Sequence, residues 1–337
     1  MSAQIDDLLR NRDITWVAEV YNDFIIDESF ESKVGDGKSR STSLKLVNKS
    51  EDFLEDKYAI QKWLMAAVEN KKVTAYSDSD CRFKINPDSM GNWSMLPVVN
   101  PHTQKTDYVE QIQRYGYEDI TAFRARQIIY YDSKKAKFGM RTLAVALISS
   151  RAFFRVDKFK MMPKNSPVFW FKPKDLIKTH RLSETDITWA KRMHYSGGIE
   201  LNADSIKVLK KTSNDEPISS LFQAFSNNPK ISFYKEGFGR KEKWHMPERE
   251  GYLMARDTMI DMDAYNNEHV TKFKIVAHET KAKDIHRLGL VQNWYWNDKK
   301  QQLEIFLVAT APLKDMKNDI GEFLYWRPLF YQRTDDD

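Results

Sequence analysis

The stretch YYDSKKAKFGMRTLAVALI, Tyr130 to Ile148, returns later in the chain as YWNDKKQQLEIFLVATAPL, Tyr295 to Leu313. Each copy reads as an aromatic strand, a polar turn around Lys-Lys and a second strand rich in β-branched and aliphatic residues, which is the signature of a β-hairpin. In the first copy Asp132, Ser133 and Lys134 supply local side-chain hydrogen bonds for the turn. Ile129 and Tyr131, then Leu143, Val145 and Leu147, alternate toward one face.

Outward from this pair, further segments recur in the same order. DITW occurs at Asp13 and again at Asp186, 173 residues on. WLMAAVENKKVTAY (Trp63–Tyr76) matches LFQAFSNNPKISFY (Leu221–Tyr234) without a gap, at an offset of 158. DITAF (Asp119–Phe123) is echoed by HVTKF (His269–Phe273) at 150, and the two hairpins follow at 165. SPVFWF (Ser166–Phe171) is echoed by RPLFYQ (Arg327–Gln332). Order and position together argue for a repeated unit. The drifting offset implies insertions in loops, with the step from 150 to 165 placing one at Val276–Arg287.

Each copy has the same coarse grammar. Ser50 can cap a helix carrying Phe53, Ile60, Trp63, Leu64, Ala67 and Val68 on one face, feeding a strand at VTAY. Ile218, Leu221, Phe222 and Phe225 form the matching stripe, Asn227-Asn228-Pro229 stop it, and ISFY is the matching strand. A second helix is expected around Asp107–Tyr117 and around Arg256–Tyr265. The reading is an α+β fold made of a tandem duplication, each unit having antiparallel hairpins and one or two packed helices. It divides the chain into an N-terminal tail (1–12), a first unit (13–171), a polar linker (172–185), a second unit (186–333) and an acidic tail (334–337).

Composition sets bounds. A chain of 337 residues, 41% hydrophobic and 30% charged, is long enough for two domains and falls among globular rather than disordered chains. The balance of 53 Lys and Arg against 48 Asp and Glu leaves a net charge of +5, with the basic residues scattered, so any polyanion signal is weak. The single cysteine, Cys81, excludes an internal disulfide and a multi-Cys zinc site. No apolar run approaches the ~18 residues that a membrane span requires. MSAQIDDLLRNRD lacks the basic and apolar regions of a signal peptide, which fits either a cytoplasmic protein or a mature form.

No segment brings a nucleophile, a base and a charge-stabilising group together, so no catalytic residues are assigned. His278 and His286, near Glu279 and Asp284, lack metal-ligand spacing, and neither a metal nor a cofactor is expected. GFGR (Gly237–Arg240) is a turn outside any nucleotide-binding context. The pairs Asp261/Asp263 and Glu248/Glu250 read as solvated charges. FRARQIIYYDSKK and WYWNDKK interleave aromatics with cations, as in strands that stack bases. Against that, Tyr131 and Trp296 can alternate into a core or an interface, where an aromatic strand serves protein association.

In order, DITWVAEVYNDF, KVTAYSDSDCRF, ITAFRARQIIYYDSKKAKFGMRTLAVALI and SPVFWF resemble the GldN/PorN family of gliding-motility and type IX secretion proteins of the Bacteroidota. VQNWYWNDKKQQLEIFLVATAPL with GEFLYWRPLFYQ carries the same resemblance near the end of the chain. The departures are FIIDESFES at Phe24–Ser32 where the family has an early PLYYP, the lack of a long helical C-terminal extension, and the doubling itself. A divergent paralogue is as consistent with these departures as a central member.

The resemblance implies a non-enzymatic structural subunit of a periplasmic ring under the outer membrane, with its signal peptide removed. It implies GldK/PorK-like lipoprotein and GldL- and GldM-like motor partners, together with self-association in a ring. Nucleic acid and a membrane span are not expected. Candidate partner contacts are the aromatics of the repeated segments: Trp16, Trp170, Trp189, Trp294, Trp296 and Trp326. The alternative is a nucleic-acid- or polysaccharide-binding module that uses the aromatic, basic strands.

Overall fold

The structure is a computed structural model that describes residues 3–25, 45–46, 58–86, 91–114, 116–150, 153–155, 160–176, 187–194, 198–201, 206–212, 216–237, 240–260, 273–317 and 321–334. The chain opens with helix α1 (Ala3–Arg10) and the long strand β1 (Ile14–Ile25), followed by the two-residue strand β2 (Lys45–Leu46) and helix α2 (Ala59–Glu69). Two hairpins come next, β3 (Gly91–Val99) with β4 (Thr106–Arg114) and β5 (Ile120–Asp132) with β6 (Lys137–Ser149). The short strands β7 (Phe153–Arg155) and β8 (Lys160–Met162) lead into β9 (Ser166–Phe171) and β10 (Lys174–Leu176). The second half runs β11 (Ile187–His194), β12 (Ile199–Glu200), β13 (Lys207–Lys211), α3 (Pro217–Asn227) and α4 (Met246–Leu253). It continues with β14 (Met254–Ile260), β15 (Phe273–Glu279), β16 (Arg287–Asn297), β17 (Gln302–Lys317), β18 (Phe323–Pro328) and β19 (Gln332–Arg333).

The two hairpins of the opening stretch are β5–β6 and β16–β17, and their turns are built alike. Asp132 accepts from the Lys135 N–H and Asn297 from the Lys300 N–H, both at 3.0 Å. Ala136 and Gln301 then hold left-handed backbone, at φ 46° and 48°. Each ladder also shifts register partway along, between Arg126 and Gln127 in one and between Val291 and Gln292 in the other, and β5–β6 shifts once more between Ile120 and Ala122. Such a bulge turns the following residues to the opposite face. Leu143 consequently packs with Ile5, Leu8, Val17 and Ile128 beneath α1, while Val145 and Leu147 join Ile129 and Tyr131 in the main core. The expected alternation through Leu143, Val145 and Leu147 is corrected by this one inserted residue.

The fold is mixed α and β, with mostly antiparallel sheets and few helices. Of the two larger sheets one has the order β13-β1-β5-β6-β9 and the other β10-β17-β16-β11-β2, with β12, β18 and β19 on its margins; β3–β4, β7–β8 and β14–β15 are two-stranded. Among the described residues only β10 against β17 runs parallel. Strands cross between the halves: β13 pairs with β1, whereas β2 pairs with β11 and β10 with β17. Buried side chains of both halves, from α2, α3 and the two central hairpins, form one continuous cluster.

Several other expectations are corrected. Residues 1–12 include α1, whose Ile5 and Leu8 are buried. Part of the linker is β10. The helices expected around Asp107–Tyr117 and Arg256–Tyr265 are strands β4 and β14 where described, because each finds a hairpin partner, β3 and β15. VTAY and ISFY contribute only the bridges of Tyr76 to Lys84 and Trp170, and of Tyr234 to Lys243 and Tyr331. Of HVTKF, only Phe273 lies within the described residues. Asp119-Ile120 and Asp284-Ile285 each close a one-turn 3₁₀ helix before a central hairpin, the second within the Val276–Arg287 stretch. Ser50 and Phe53 lie outside the described residues, and α2 begins after Tyr58.

Candidate interaction surface

Most of the tryptophans expected at partner contacts are inside the protein. Trp16 and Trp170 are 4% and 5% exposed, and Trp294 and Trp296 are fully buried. Burial follows from strand position: Trp294 and Trp296 lie on β16, which is flanked by β17 and β11 and covered on both faces. Trp294 meets Phe24 and Phe123 of the other sheet, with ring centroids at 5.0 and 5.5 Å. Tyr131 is buried as well, so neither it nor Trp296 offers a face to a stacked base. Trp189 sits on β11 opposite Trp296 in register.

Trp326 differs. It lies on β18, an edge strand that pairs with β17 from Leu313↔Pro328 out to Lys317↔Phe323. Its neighbours Phe323, Leu324 and Tyr325 are 42%, 55% and 53% exposed. Consecutive strand residues point to opposite faces, so this run leaves both faces of the β17–β18 arm open. Phe323 and Trp326 pack at 4.6 Å, and the Arg287 guanidinium lies 4.9 Å above the Trp326 ring while also pairing with Glu200. A half-covered aromatic braced by a cation, with large apolar neighbours in solvent, has the make-up of an association surface. Only Trp326 of this set was visible from sequence. The signal for the rest is FLYW, an unbroken apolar run in which a half-buried strand would alternate.

Two buried polar clusters hold the frame. Between the sheets, Gln127 and Gln292 donate to each other's carbonyl oxygens at 3.1 and 3.4 Å, and both are fully buried. Asn22 donates to Gln127 at 2.8 Å and the Trp294 indole to Gln292 at 3.0 Å, so the seam is hydrogen-bonded rather than orphaned. The second cluster is Arg249, 4% exposed, which donates to the carbonyls of Trp244, Phe225, Asn228 and Ile231 and lies over the rings of Phe225 and Phe233. Burial lowers its pKa, while carbonyls at the end of α3 favour the charge. Arg249 therefore gives the PEREG segment a structural cation. Glu248, beside it, is exposed and accepts from the His245 N–H.

Over the first sheet, Arg126 bridges buried Glu19 and Asp80, and Tyr21 reaches Ser79. Asp78 folds this loop by accepting from the Arg82 and Phe83 N–H groups, both at 3.0 Å. Burial pushes the Asp78 pKa upward, but those donors outweigh it and leave it lowered. Cys81, buried beneath the loop, is raised to about 11 by burial, with Lys172 opposing. At pH 8 its reaction with a disulfide reagent is expected to be at least roughly tenfold slower than a free thiol's, until denaturant is added. A rate equal to the free thiol's would contradict the burial. Since the folded chain favours the neutral thiol, the associated stability is complete below about pH 9 and is lost as pH rises through 11.

Among the described residues no three His, Cys, Asp or Glu side chains converge as a metal site, and no helix is long and apolar enough to cross a membrane. His286 is exposed. No curated protein matches the chain. The sequence profile of the family described as "Gliding motility associated protein GldN" matches residues 9–192, more than half of the chain, from α1 into β11. With that match over β1, α2, the β5–β6 hairpin and β9, the chain belongs to the GldN family of gliding motility associated proteins.

Proposed function

We propose that this protein is a non-enzymatic structural subunit of a ring in a type IX secretion and gliding motility machine, lying in the periplasm against the outer membrane. The family match carries this reading. Its partners are a GldK/PorK-like lipoprotein, GldL- and GldM-like motor proteins and neighbouring copies of itself. The chain is a tandem duplication with units at 13–171 and 186–333, supported by the shared turn design and the matching register shifts of the two hairpins. Two related surfaces on one chain suit head-to-tail assembly, which closes into a ring when the rotation permits.

The contact surface in this reading is the β17–β18 arm with Trp326, Phe323, Leu324 and Tyr325. Co-purification from native envelopes should recover the lipoprotein and motor proteins with the wild-type chain. The double variant Phe323→Ser/Trp326→Ala should lose at least roughly tenfold of that recovery, as expected for central aromatic contacts. Its unfolding free energy should change by less than about 1 kcal/mol, since these side chains are not in the core. Recovery of unrelated proteins, or full recovery with the double variant, counts against the assignment.

A further inference from the structure

A cavity of about 250 Å³ opens where the segment after α2, the end of β9 and the β16–β17 turn meet. Its floor includes Tyr76, Phe171 and Leu303, and Lys72, Lys172 and Lys300 stand around it. Lys172 lies 5.6 Å over the Tyr76 ring, and the Lys300 ammonium reaches buried Glu304 at 3.3 Å. Lys72 and Lys172 have no carboxylate partner among the described residues. The cavity therefore holds an excess of positive charge above an apolar floor, with the Gln301 and Gln302 amides alongside.

The cation–ring contact of Lys172 has a counterpart in the other half. Arg333 lies 5.6 Å over the Tyr234 ring as Lys172 does over Tyr76, with Lys230 after α3 and Lys135 in the β5–β6 turn at the corresponding places. There Gln332 donates to the Ala136 carbonyl across the junction, a link that Phe171 cannot make with Gln301.

We propose that the Lys72–Lys172–Lys300 cavity binds an acidic peptide segment of a partner protein. The lysines would pair with its carboxylates and the apolar floor would take its side-chain stems. Peptide is favoured over inorganic phosphate because the lining mixes apolar, amide and ammonium groups and includes no arginine fork. This inference rests on the reading that the chain works through protein contacts, at a second surface. Leu303 and Leu313 are ten residues apart on β17, which sets the cavity roughly 30 Å from the start of the β18 arm.

The test is calorimetric titration of the full chain at low ionic strength with capped hexaglutamate, capped hexaglutamine and inorganic phosphate. Hexaglutamate should bind, and its affinity should fall at least roughly tenfold in Lys72→Gln/Lys172→Gln and also in high salt. Both lysines are exposed, so this variant should melt like the wild type. Phe323→Ser/Trp326→Ala should bind hexaglutamate unchanged. No hexaglutamate binding, equal binding by the lysine variant, or phosphate binding as tightly would overturn the proposal. Peptide binding with failed envelope co-purification would sink the secretion reading and leave the acidic-peptide site standing.

Discussion

Trp294→Ala is expected to cost about 3–5 kcal/mol, the range for removing a large aromatic from a packed core. The site has features that push the loss toward the upper end. Trp294 is fully buried, meets Phe24 and Phe123 across the sheets, and donates to Gln292 in the polar seam. Alanine leaves a cavity between the sheets and removes one donor from a buried amide. Against a total stability of roughly 5–15 kcal/mol, this is a large fraction of the folding free energy. Urea denaturation should show a midpoint far below wild type, or no soluble protein. Trp294→Phe, which keeps a smaller aromatic ring and loses the hydrogen bond, should recover about half of the loss. A midpoint for Trp294→Ala within error of wild type would mean that the sheets are not joined there.

Cutting the chain between Leu176 and Ile187 is expected to leave both fragments bound to each other, with the circular dichroism of the intact protein. Either fragment expressed alone should be unfolded or aggregated. The reason is the reciprocal pairing. The N-terminal fragment supplies β2 to β11 and β10 to β17, and the C-terminal fragment returns β13 to β1. Gln127 with Gln292, and Phe24 and Phe123 with Trp294, close the interior between them. A lone fragment exposes half of a shared core and at least one unpaired strand edge, which is an aggregation hazard. Core-like interfaces of this kind behave as permanent ones, so co-elution should persist at micromolar concentration. Two separately eluting, folded fragments would refute the shared core.

Expectations that depended on neighbours along the chain were met. The Lys-Lys turns, the strands on either side of them and the stripes Ile60–Leu64–Ala67–Val68 and Ile218–Leu221–Phe222–Phe225 occupy the elements expected. Expectations that depended on distant partners failed. β4 reads TDYVEQIQR, whose apolar spacing suits one face of a helix, and only its pairing with β3 makes it a strand.

The candidate surface divides in the same way. By itself the sequence determined that this chain has hairpins at Tyr130–Ile148 and Tyr295–Leu313, that its segments recur in order, and that its wording is that of the GldN family. Only the tertiary structure decided which tryptophans are free to meet a partner. Trp294 and Trp326 stand in equally aromatic words, but β16 lies between two strands and under a second sheet, while β18 closes an edge. Burial is set by what packs against a strand from far along the chain, and local pattern carries no record of it.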